Sequence, residues 1–229
     1  MVQNTVVSCS YDLGNTGAVC FLTYKVSPEG IITVDYKFEN GDKQYAYIPR
    51  IGMRAHLNKS LNKLTYFGRG PLGNYVDRKT SCFKDRYEAD VNDMQFNYIR
   101  PQENSHHTDV RWFSLADKRG RGLLFVSDSQ FEFNASAYPL ETLDSGKSLY
   151  NDAPITESTD HRHINDVKKG DMVDVIIDGA MTGLGGDNSW GALPMDKYRV
   201  KSDRNLNYRF TIFPLSGKGD IDKYNKSLF

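Results

Sequence analysis

The feature that most constrains the fold is a strict alternation of apolar and polar residues between positions 31 and 38. In IITVDYKF, the four apolar side chains at the even positions share one face, and the three polar side chains between them share the other. A period of two is typical of a β-strand with one buried face. The preceding segment, VCFLTYKV at 19–26, is separated from it by SPEG, a sequence typical of a tight turn. The two segments therefore predict an antiparallel pair.

Further strand-like segments follow along the chain: RWFSLAD (111–117), GLLFVSD (122–128), FEFNAS (131–136), MVDVIID (172–178) and YRFTIFPL (208–215). The longest helical candidate is PLETLDSGK, at 139–147, where proline suits the first turn of a helix. Many strands and one short helix predict an all-β fold, a large antiparallel β-sandwich, rather than alternating β and α units. We assign residues 1–215 to one sandwich domain. We interpret residues 216–229 as a polar, loosely held C-terminal tail.

The charge balance excludes some classes of partner. The chain has 29 basic and 29 acidic residues, without a concentrated run of either sign. A nucleic-acid-binding protein normally presents a basic face, because neutralised phosphates supply much of its affinity. No stretch approaches the roughly 18 apolar residues of a membrane-spanning helix. We therefore expect neither a nucleic-acid nor a membrane partner, and both a cytoplasmic and a periplasmic location stay open.

The glycine-rich segment GLGGDNSW, at 183–190, invites comparison with phosphate-binding loops. A dinucleotide-binding fingerprint needs its glycines between a strand and a helix, with an acidic residue about twenty positions later. A strand-like segment precedes this loop, but the segment after it, SWGALPMDKYRV, contains an early proline and then becomes strand-like. No Lys-Ser or Lys-Thr follows the glycines, so the Walker pattern is also absent. The loop therefore needs another explanation.

Five segments together resemble one family. In chain order they are PRIGMR (49–54), YFGRGPLGNYVDR (66–78), RPQENSHHTDVRW (100–112), DHRH (160–163) and DGAMTGLGGDNSWG (178–191). They occur in the order found in the C-terminal domain of family-two β-galactosidases, the region called the small chain in the two-subunit versions. The resemblance extends from about Tyr11 to Leu215.

The resemblance implies a galactose-mutarotase-like sandwich that belongs to an enzyme hydrolysing terminal non-reducing β-D-galactosides. In that family the two catalytic glutamates and the catalytic Mg²⁺ lie on a central TIM barrel. This chain leaves no length for a barrel of about 250 residues. We therefore expect no catalytic residue, metal site or cofactor in this chain. Its expected partners are the barrel and, through the assembled enzyme, a galactoside such as lactose.

The family also implies one sugar-binding residue here, Trp190, which forms a flat wall for the leaving-group sugar. An indole face suits the C–H side of a pyranose ring. Glycines give the loop positive φ or close approach, and short polar side chains brace it. The expected supporting residues are Gly185, Gly186, Asp187, Asn188 and Ser189. The alternative is that Trp190 packs on the sandwich core.

Other polar residues are weaker candidates for sugar contacts. They are Glu103 and Asn104 in PQEN, and His161 and His163 in DHRH. A metal site is not favoured, since two histidines without a third recognisable ligand are a weak motif. Hydrogen-bonded structural histidines are the simpler interpretation.

Two other functions stay open. One is a stand-alone carbohydrate-binding module. The other is a mutarotase-like enzyme that uses Glu103, His161 and His163 for proton transfer, which rests on fold-level analogy alone.

Two departures from the family pattern stand out. Gly73 occupies a position where the family usually has glutamate, and Ser105 one where glycine is common. We interpret Arg69, Asp77 and Arg78 of the same region as structural residues.

Overall fold

The computed structural model describes residues 3–41, 45, 47–99, 101–143, 163–186, 188 and 191–228, with side chains up to residue 224. Ten strands make up about half of it: β1 (Thr5–Asp12), β2 (Val19–Val26), β3 (Ile32–Glu39), β4 (Arg50–Asn58), β5 (Lys63–Gly70), β6 (Phe83–Asp90), β7 (His107–Ala116), β8 (Arg121–Ser136), β9 (Met172–Met181) and β10 (Leu206–Ser216). Two helices, α1 (Leu140–Leu143) and α2 (Asp220–Leu228), and four short 3₁₀ turns complete the described chain. The predicted all-β class is confirmed.

All pairings between these strands are antiparallel. The order is β1-β2-β3-β10-β8-β7-β5-β6, and β9 branches from β8 to pair with β4. The branch is possible because β8 is 16 residues long. Its first half pairs with β10, whereas Glu132–Ser136 pairs with β9.

The β9–β4 arm packs over the face of β3 and β10. The hydroxyl of Tyr208 on β10 donates to the carbonyl of Ile177 on β9 at 3.0 Å, and the Tyr208 ring lies 4.8 Å from that of Tyr36 on β3. The core between these layers is rich in aromatic rings. Phe113 stacks between Phe125 and Phe133, with both centroid distances 4.5 Å. These rings belong to one buried cluster that also includes Val175 and Ile177 of β9 and Phe210 of β10. A core enclosed between packed faces of sheet is the defining feature of a sandwich.

Local patterns predicted several strands correctly. The 19–26 and 31–38 segments pair through the expected turn, in register from Val26 with Ile32 to Val19 with Glu39. The segments at 122–128 and 131–136 form the single strand β8, since no glycine or proline interrupts SDSQ between them. Strands β1, β4, β5 and β6 were not predicted. β1 and β6 are edge strands and largely exposed, so their sequences lack a clear apolar face.

The helical predictions need one correction. α1 covers part of the helix expected at 139–147, and residues 144–162 lie outside the described residues. The segment expected to be a loosely held tail contains α2 instead. Ile221 and Tyr224 of α2 pack on a second apolar cluster around the buried Trp112. An amphipathic helix gains stability from such a contact despite its polar average composition. Within the described part of the chain, no helix is long and apolar enough to cross a bilayer.

Candidate functional site

The glycine loop begins where the β4–β9 ladder ends. Arg50 and Met181 form the terminal pair of that ladder. The next residue, Thr182, donates its backbone N–H to Pro49 O at 2.8 Å and its hydroxyl to Ile48 O at 2.6 Å. The first residue of the loop, Gly183, then donates its N–H to Tyr198 O at 2.8 Å. The base of the loop is therefore fixed to the chain on both sides.

The carboxylate of Asp77 holds the next turn of the loop. It accepts the backbone N–H of Leu184 at 3.1 Å and that of Gly185 at 2.8 Å. A Cβ on Gly183 would overlap this carboxylate, so only glycine permits the approach. Gly185 and Gly186 have φ of 70° and 89°, a region that glycine enters without steric cost. The glycines thus shape a loop that Asp77 clamps.

Asp77 is itself positioned by the turn at residues 74–78. The backbone N–H of Asn74 donates to His106 O at 2.6 Å, and its side-chain oxygen accepts the N–H and hydroxyl of Thr108. Tyr75 stacks on the imidazole of His106, with ring centroids 5.3 Å apart and planes 21° apart. This turn therefore connects the glycine loop to the start of β7.

A buried polar cluster lies beneath the same turn. Arg50 contacts Glu103 Oε1 through Nη1 at 2.8 Å and Asp178 Oδ2 through Nη2 at 2.9 Å. His106 Nε2 lies 3.1 Å from Glu132 Oε2. The side chains of His106 and Asp178 are fully buried, whereas Glu103 and Glu132 reach the surface in part. Three carboxylates thus share one arginine and one histidine.

This arrangement changes the acidity of Asp178. Burial raises the pKa of Asp178 to about 7, against the attraction of Arg50 and His106, and the nearby Glu132 and Glu103 add to the rise. Neither Asp178 Oδ1 nor His106 Nδ1 has a hydrogen-bond partner among the described residues. Polar atoms without partners are costly in a buried site, and the contact of Arg50 with Asp178 Oδ2 offsets part of that cost.

Comparison with known proteins decides the family. A family model described as "Beta galactosidase small chain" matches residues 1–212. The chain belongs to the β-galactosidase small-chain family. A β-galactosidase of Priestia megaterium is 30% identical to this small-chain domain over 214 residues, which are 93% of the chain and 19% of that enzyme. The β-galactosidases of Staphylococcus xylosus and Streptococcus thermophilus are 28% and 26% identical, over 83% and 85% of the chain. The chain spans only 17% and 18% of their lengths.

The structure describes three of the six residues predicted for the sugar-binding loop. Gly185 and Gly186 form the clamped turn, and Asn188 lies in the bend that follows. Asp187, Ser189 and Trp190 lie outside the described residues. The contact of Trp190 with a sugar therefore stays a prediction.

The weaker candidates separate into different environments. Glu103 belongs to the buried cluster of the small-chain domain. The side-chain amide of Asn104 accepts the backbone N–H of Phe96 and donates to the carbonyl oxygens of Phe96 and Gln102. Both its oxygen and its nitrogen are therefore used in bonds within the chain. His163 caps a 3₁₀ turn by accepting the N–H of Asn165, and His161 lies outside the described residues. Among the described residues, no three His, Cys, Asp or Glu side chains are placed to hold a metal ion.

Sequence reasoning missed the pairing of β4 with β9 through charged residues. Arg50 pairs with Asp178, and Arg54 pairs with Asp174 at 2.6 Å. A signal existed, because both aspartates interrupt a strand that otherwise reads as fully apolar. The two aspartates could not be assigned partners from the sequence, because nothing in it shows that the two arginines of PRIGMR lie on the neighbouring strand.

Gly73 and Ser105 lie in contact. A Cβ built on Gly73 would stand 2.9 Å from the Cα of Ser105. Ser105 has φ of 65°, and its hydroxyl donates to Met94 O. The small residue at 73 therefore lets the backbone of Ser105 approach closely.

Proposed function

We propose that this small-chain domain completes the sugar-binding site of a β-galactosidase that hydrolyses terminal non-reducing β-D-galactosides. In this proposal the domain supplies no catalytic group and presents Trp190 at the end of the glycine loop. The observation that carries it is the clamp of Asp77 on Leu184 and Gly185. A long side chain at the end of a loop is useful for recognition only when the base of the loop is held in place.

The physics of the loop fits that role. Ordering a flexible loop on ligand binding would cost conformational entropy, which a pre-formed base reduces. An indole on such a base offers a large rigid face for the apolar side of a pyranose ring. Asn188, in the described bend before Trp190, is well placed in sequence to brace the loop.

The catalytic pair and its Mg²⁺ would belong to the part of the enzyme outside this chain. The match to 19% of the Priestia enzyme leaves ample length there for a catalytic domain. We interpret the carboxylates of the buried cluster as structural, because Glu103 pairs with Arg50 and Glu132 pairs with His106. Under this proposal the domain is required for sugar affinity and for assembly, and the chemistry takes place elsewhere.

The direct test is Trp190→Ala in the assembled enzyme, with Tyr11→Ala as a control at an exposed aromatic residue of β1. We expect affinity for glucose as acceptor or inhibitor to fall several-fold, equivalent to about 1 kcal/mol. Inhibition by galactose should stay close to the wild-type value. Unchanged kinetics with every acceptor, or an equal loss for galactose, would contradict the platform role.

The isolated chain provides a second test. We expect it to leave an aryl β-galactoside intact and to release no heat of binding with lactose or galactose. Measurable affinity would favour the independent carbohydrate-binding module. Faster mutarotation of galactose than in buffer, followed by optical rotation, would favour the mutarotase-like enzyme.

A further inference from the structure

A cavity of about 530 Å³ lies on the inner face of the sheet, at strands β1, β2 and β3. Strand pairing determines its floor. Cys20 lies opposite Phe38, and Leu22 lies opposite Tyr36, so the four side chains share one face. All four are buried members of the main apolar cluster, and all four line the cavity. The floor of the cavity is therefore an exposed part of the core surface.

Strand β4 forms the opposite wall, to which Ile51 and Met53 contribute side chains. Among the described residues, β4 pairs only with β9, and β1 pairs only with β2. Each of the two layers thus ends in a free edge on this side. Leu13, directly after β1, also lines the cavity and is 42% exposed. The cavity therefore reaches solvent at the edge of the sandwich.

Two arginines of β4 lie in the lining, and carboxylates of this chain already compensate both charges. Arg50 contacts Glu103 and Asp178 at 2.8 and 2.9 Å. Arg54 donates to both oxygens of Asp174, at 2.7 and 2.6 Å. An anionic ligand would have to compete with these carboxylates, whose own burial depends on the arginines. The lining therefore favours a neutral ligand.

Hydrogen-bonding capacity remains at the floor of the cavity. The hydroxyl of Tyr36 and the thiol of Cys20 form a hydrogen bond of 2.9 Å. A tyrosine hydroxyl has one donor hydrogen and acceptor lone pairs, so one bond to the thiol leaves capacity for a second. A concave site of about 300–1,000 Å³ with apolar walls and few polar groups is typical of small-molecule binding.

We propose that this cavity binds a neutral ring compound that is apolar apart from one hydrogen-bonding group, which meets the Tyr36 hydroxyl. The apolar floor and wall supply the contact area, and the paired arginines disfavour anions. None of the described residues of the glycine loop lines the cavity. The inference therefore goes beyond the proposed function and concerns a site other than the galactoside site.

Fluorescence titration of the chain with N-phenyl-1-naphthylamine tests the class of ligand. This neutral probe has apolar rings and a single N–H, and its emission rises in apolar surroundings. Anilinonaphthalene sulfonate has the same ring frame with a negative charge. We expect saturable binding of the neutral probe, at least about tenfold tighter than that of the sulfonate, because burial of an unpaired charge is costly. Absence of saturation, equal or tighter binding of the sulfonate, or displacement by galactose or lactose would overturn the proposal.

Methionine methyl resonances test the location of the bound probe. Met53 lines the cavity, whereas Met94, Met172, Met181 and Met195 do not. In protein labelled at the methionine methyl groups, the ring current of the bound probe should shift the Met53 signal and leave these four unchanged. Met53→Leu assigns the signal. A shift at any of the four without a shift at Met53 would place the probe elsewhere and overturn the proposal.

Substitution tests whether the cavity wall makes the contact. Met53→Glu should weaken the neutral probe at least about tenfold, because it introduces a carboxylate into an apolar wall. The matched control is Val6→Glu on β1. Val6 is 58% exposed and lies opposite Lys25, on the face of the sheet away from Leu22, so its affinity for the probe should stay close to the wild-type value.

A milder variant covers the case in which Met53→Glu does not fold. Tyr36→Phe removes only the hydroxyl and should weaken the neutral probe by about threefold to tenfold, the order of one hydrogen bond. Unchanged hydrogen exchange in β7 and β8 shows that each variant folds. Wild-type affinity in folded Met53→Glu, or in folded Tyr36→Phe, would overturn the proposal.

The assembled enzyme separates this site from other occupants of the cavity. We expect the neutral probe to bind the assembled enzyme and the chain alike. Binding by the chain that is lost in the enzyme would show that another part of the enzyme covers the cavity, and the proposal would fail. Trp190→Ala should leave probe binding unchanged. Absence of probe binding with an intact sugar effect of Trp190→Ala would refute the cavity alone, and the reverse pattern would refute the proposed function alone.

Discussion

The carboxylate of Asp77 accepts the backbone N–H of Gly185 at 2.8 Å, between residues 108 positions apart in the chain. The same carboxylate accepts the backbone N–H of Leu184, so one side chain holds two successive residues of the glycine loop. Because the turn that carries Asp77 also stacks Tyr75 on His106, the loop and the buried polar cluster share one support. Changes to this support should therefore affect both stability and the loop.

Removing the clamp tests its strength. Asp77→Ala should lower the free energy of unfolding by about 1–3 kcal/mol, because two amides lose a charged acceptor. Asp77→Asn keeps one acceptor oxygen and should lose less. Urea unfolding measures the stability, and amide exchange at Leu184 and Gly185 measures the loop. The exposed Asp93 provides a control, since Asp93→Ala should change little. Equal stability and exchange in Asp77→Ala and the wild type would contradict the clamp.

The close approach of Gly73 to Ser105 predicts intolerance of any side chain at position 73. Gly73→Ala should cost about 1–3 kcal/mol, because its Cβ meets backbone atoms that cannot rotate away. Gly217→Ala is the matched control, since a Cβ there meets nothing within 4 Å and its φ is not positive. Thermal unfolding of both variants gives the comparison. A Gly73→Ala protein as stable as Gly217→Ala would show that the backbone at 105 moves freely.

The stability contribution of Asp178 should depend on pH in an unusual direction. Its pKa is raised by burial from 3.8 to about 7, so between these values the folded state keeps a proton that the unfolded state has lost. Its contribution is therefore full below about pH 3.8 and is lost as the pH rises through 7. The slope is at most about 1.4 kcal/mol per pH unit. The stability advantage of the wild type over Asp178→Asn should fall between pH 4 and pH 7 in urea titrations. An advantage that grows over this range would contradict the assignment.

His107 should show the opposite dependence. Burial lowers the pKa of His107 from 6.5 to about 4, so the unfolded chain takes up a proton first as the pH falls. The contribution of the neutral ring is present above pH 6.5 and is lost as the pH falls towards 4. The advantage of the wild type over His107→Gln should therefore grow from pH 4 to pH 6.5. If the free energies of unfolding of the two proteins changed with pH in parallel, the lowered pKa of His107 would be refuted.

Removal of the C-terminal helix should destabilise the sandwich. Truncation after Ser216 deletes Ile221 and Tyr224, which cover the apolar cluster around Trp112. We expect a loss of about 1–3 kcal/mol, the order of burying one or two apolar side chains. Near-ultraviolet circular dichroism and urea unfolding would report the loss, with Lys218→Ala as a control outside the helix. A truncated chain of unchanged stability would support the original interpretation of a loosely held tail.

The sequence predicted elements whose signal lies in neighbouring residues. The alternation at 31–38 predicted β3, and the SPEG turn predicted its pairing with β2. The exposed edge strands β1 and β6 escaped prediction, because neither has a consistently buried face. The helix α2 in the C-terminal tail was not predicted, for a related reason. Its polar composition conceals Ile221 and Tyr224, whose importance depends on the surface they cover.

The sequence by itself thus determined the all-β class, the β2–β3 hairpin and a glycine loop without the surroundings of a phosphate site. Tertiary structure alone decided that Asp77 clamps this loop, that Arg50 meets Asp178, and that Gly73 faces Ser105. The physical reason is the separation along the chain over which each kind of interaction acts. Periodicity and turn preference act between residues a few positions apart, whereas these contacts join distant segments and exist only after the strands have packed.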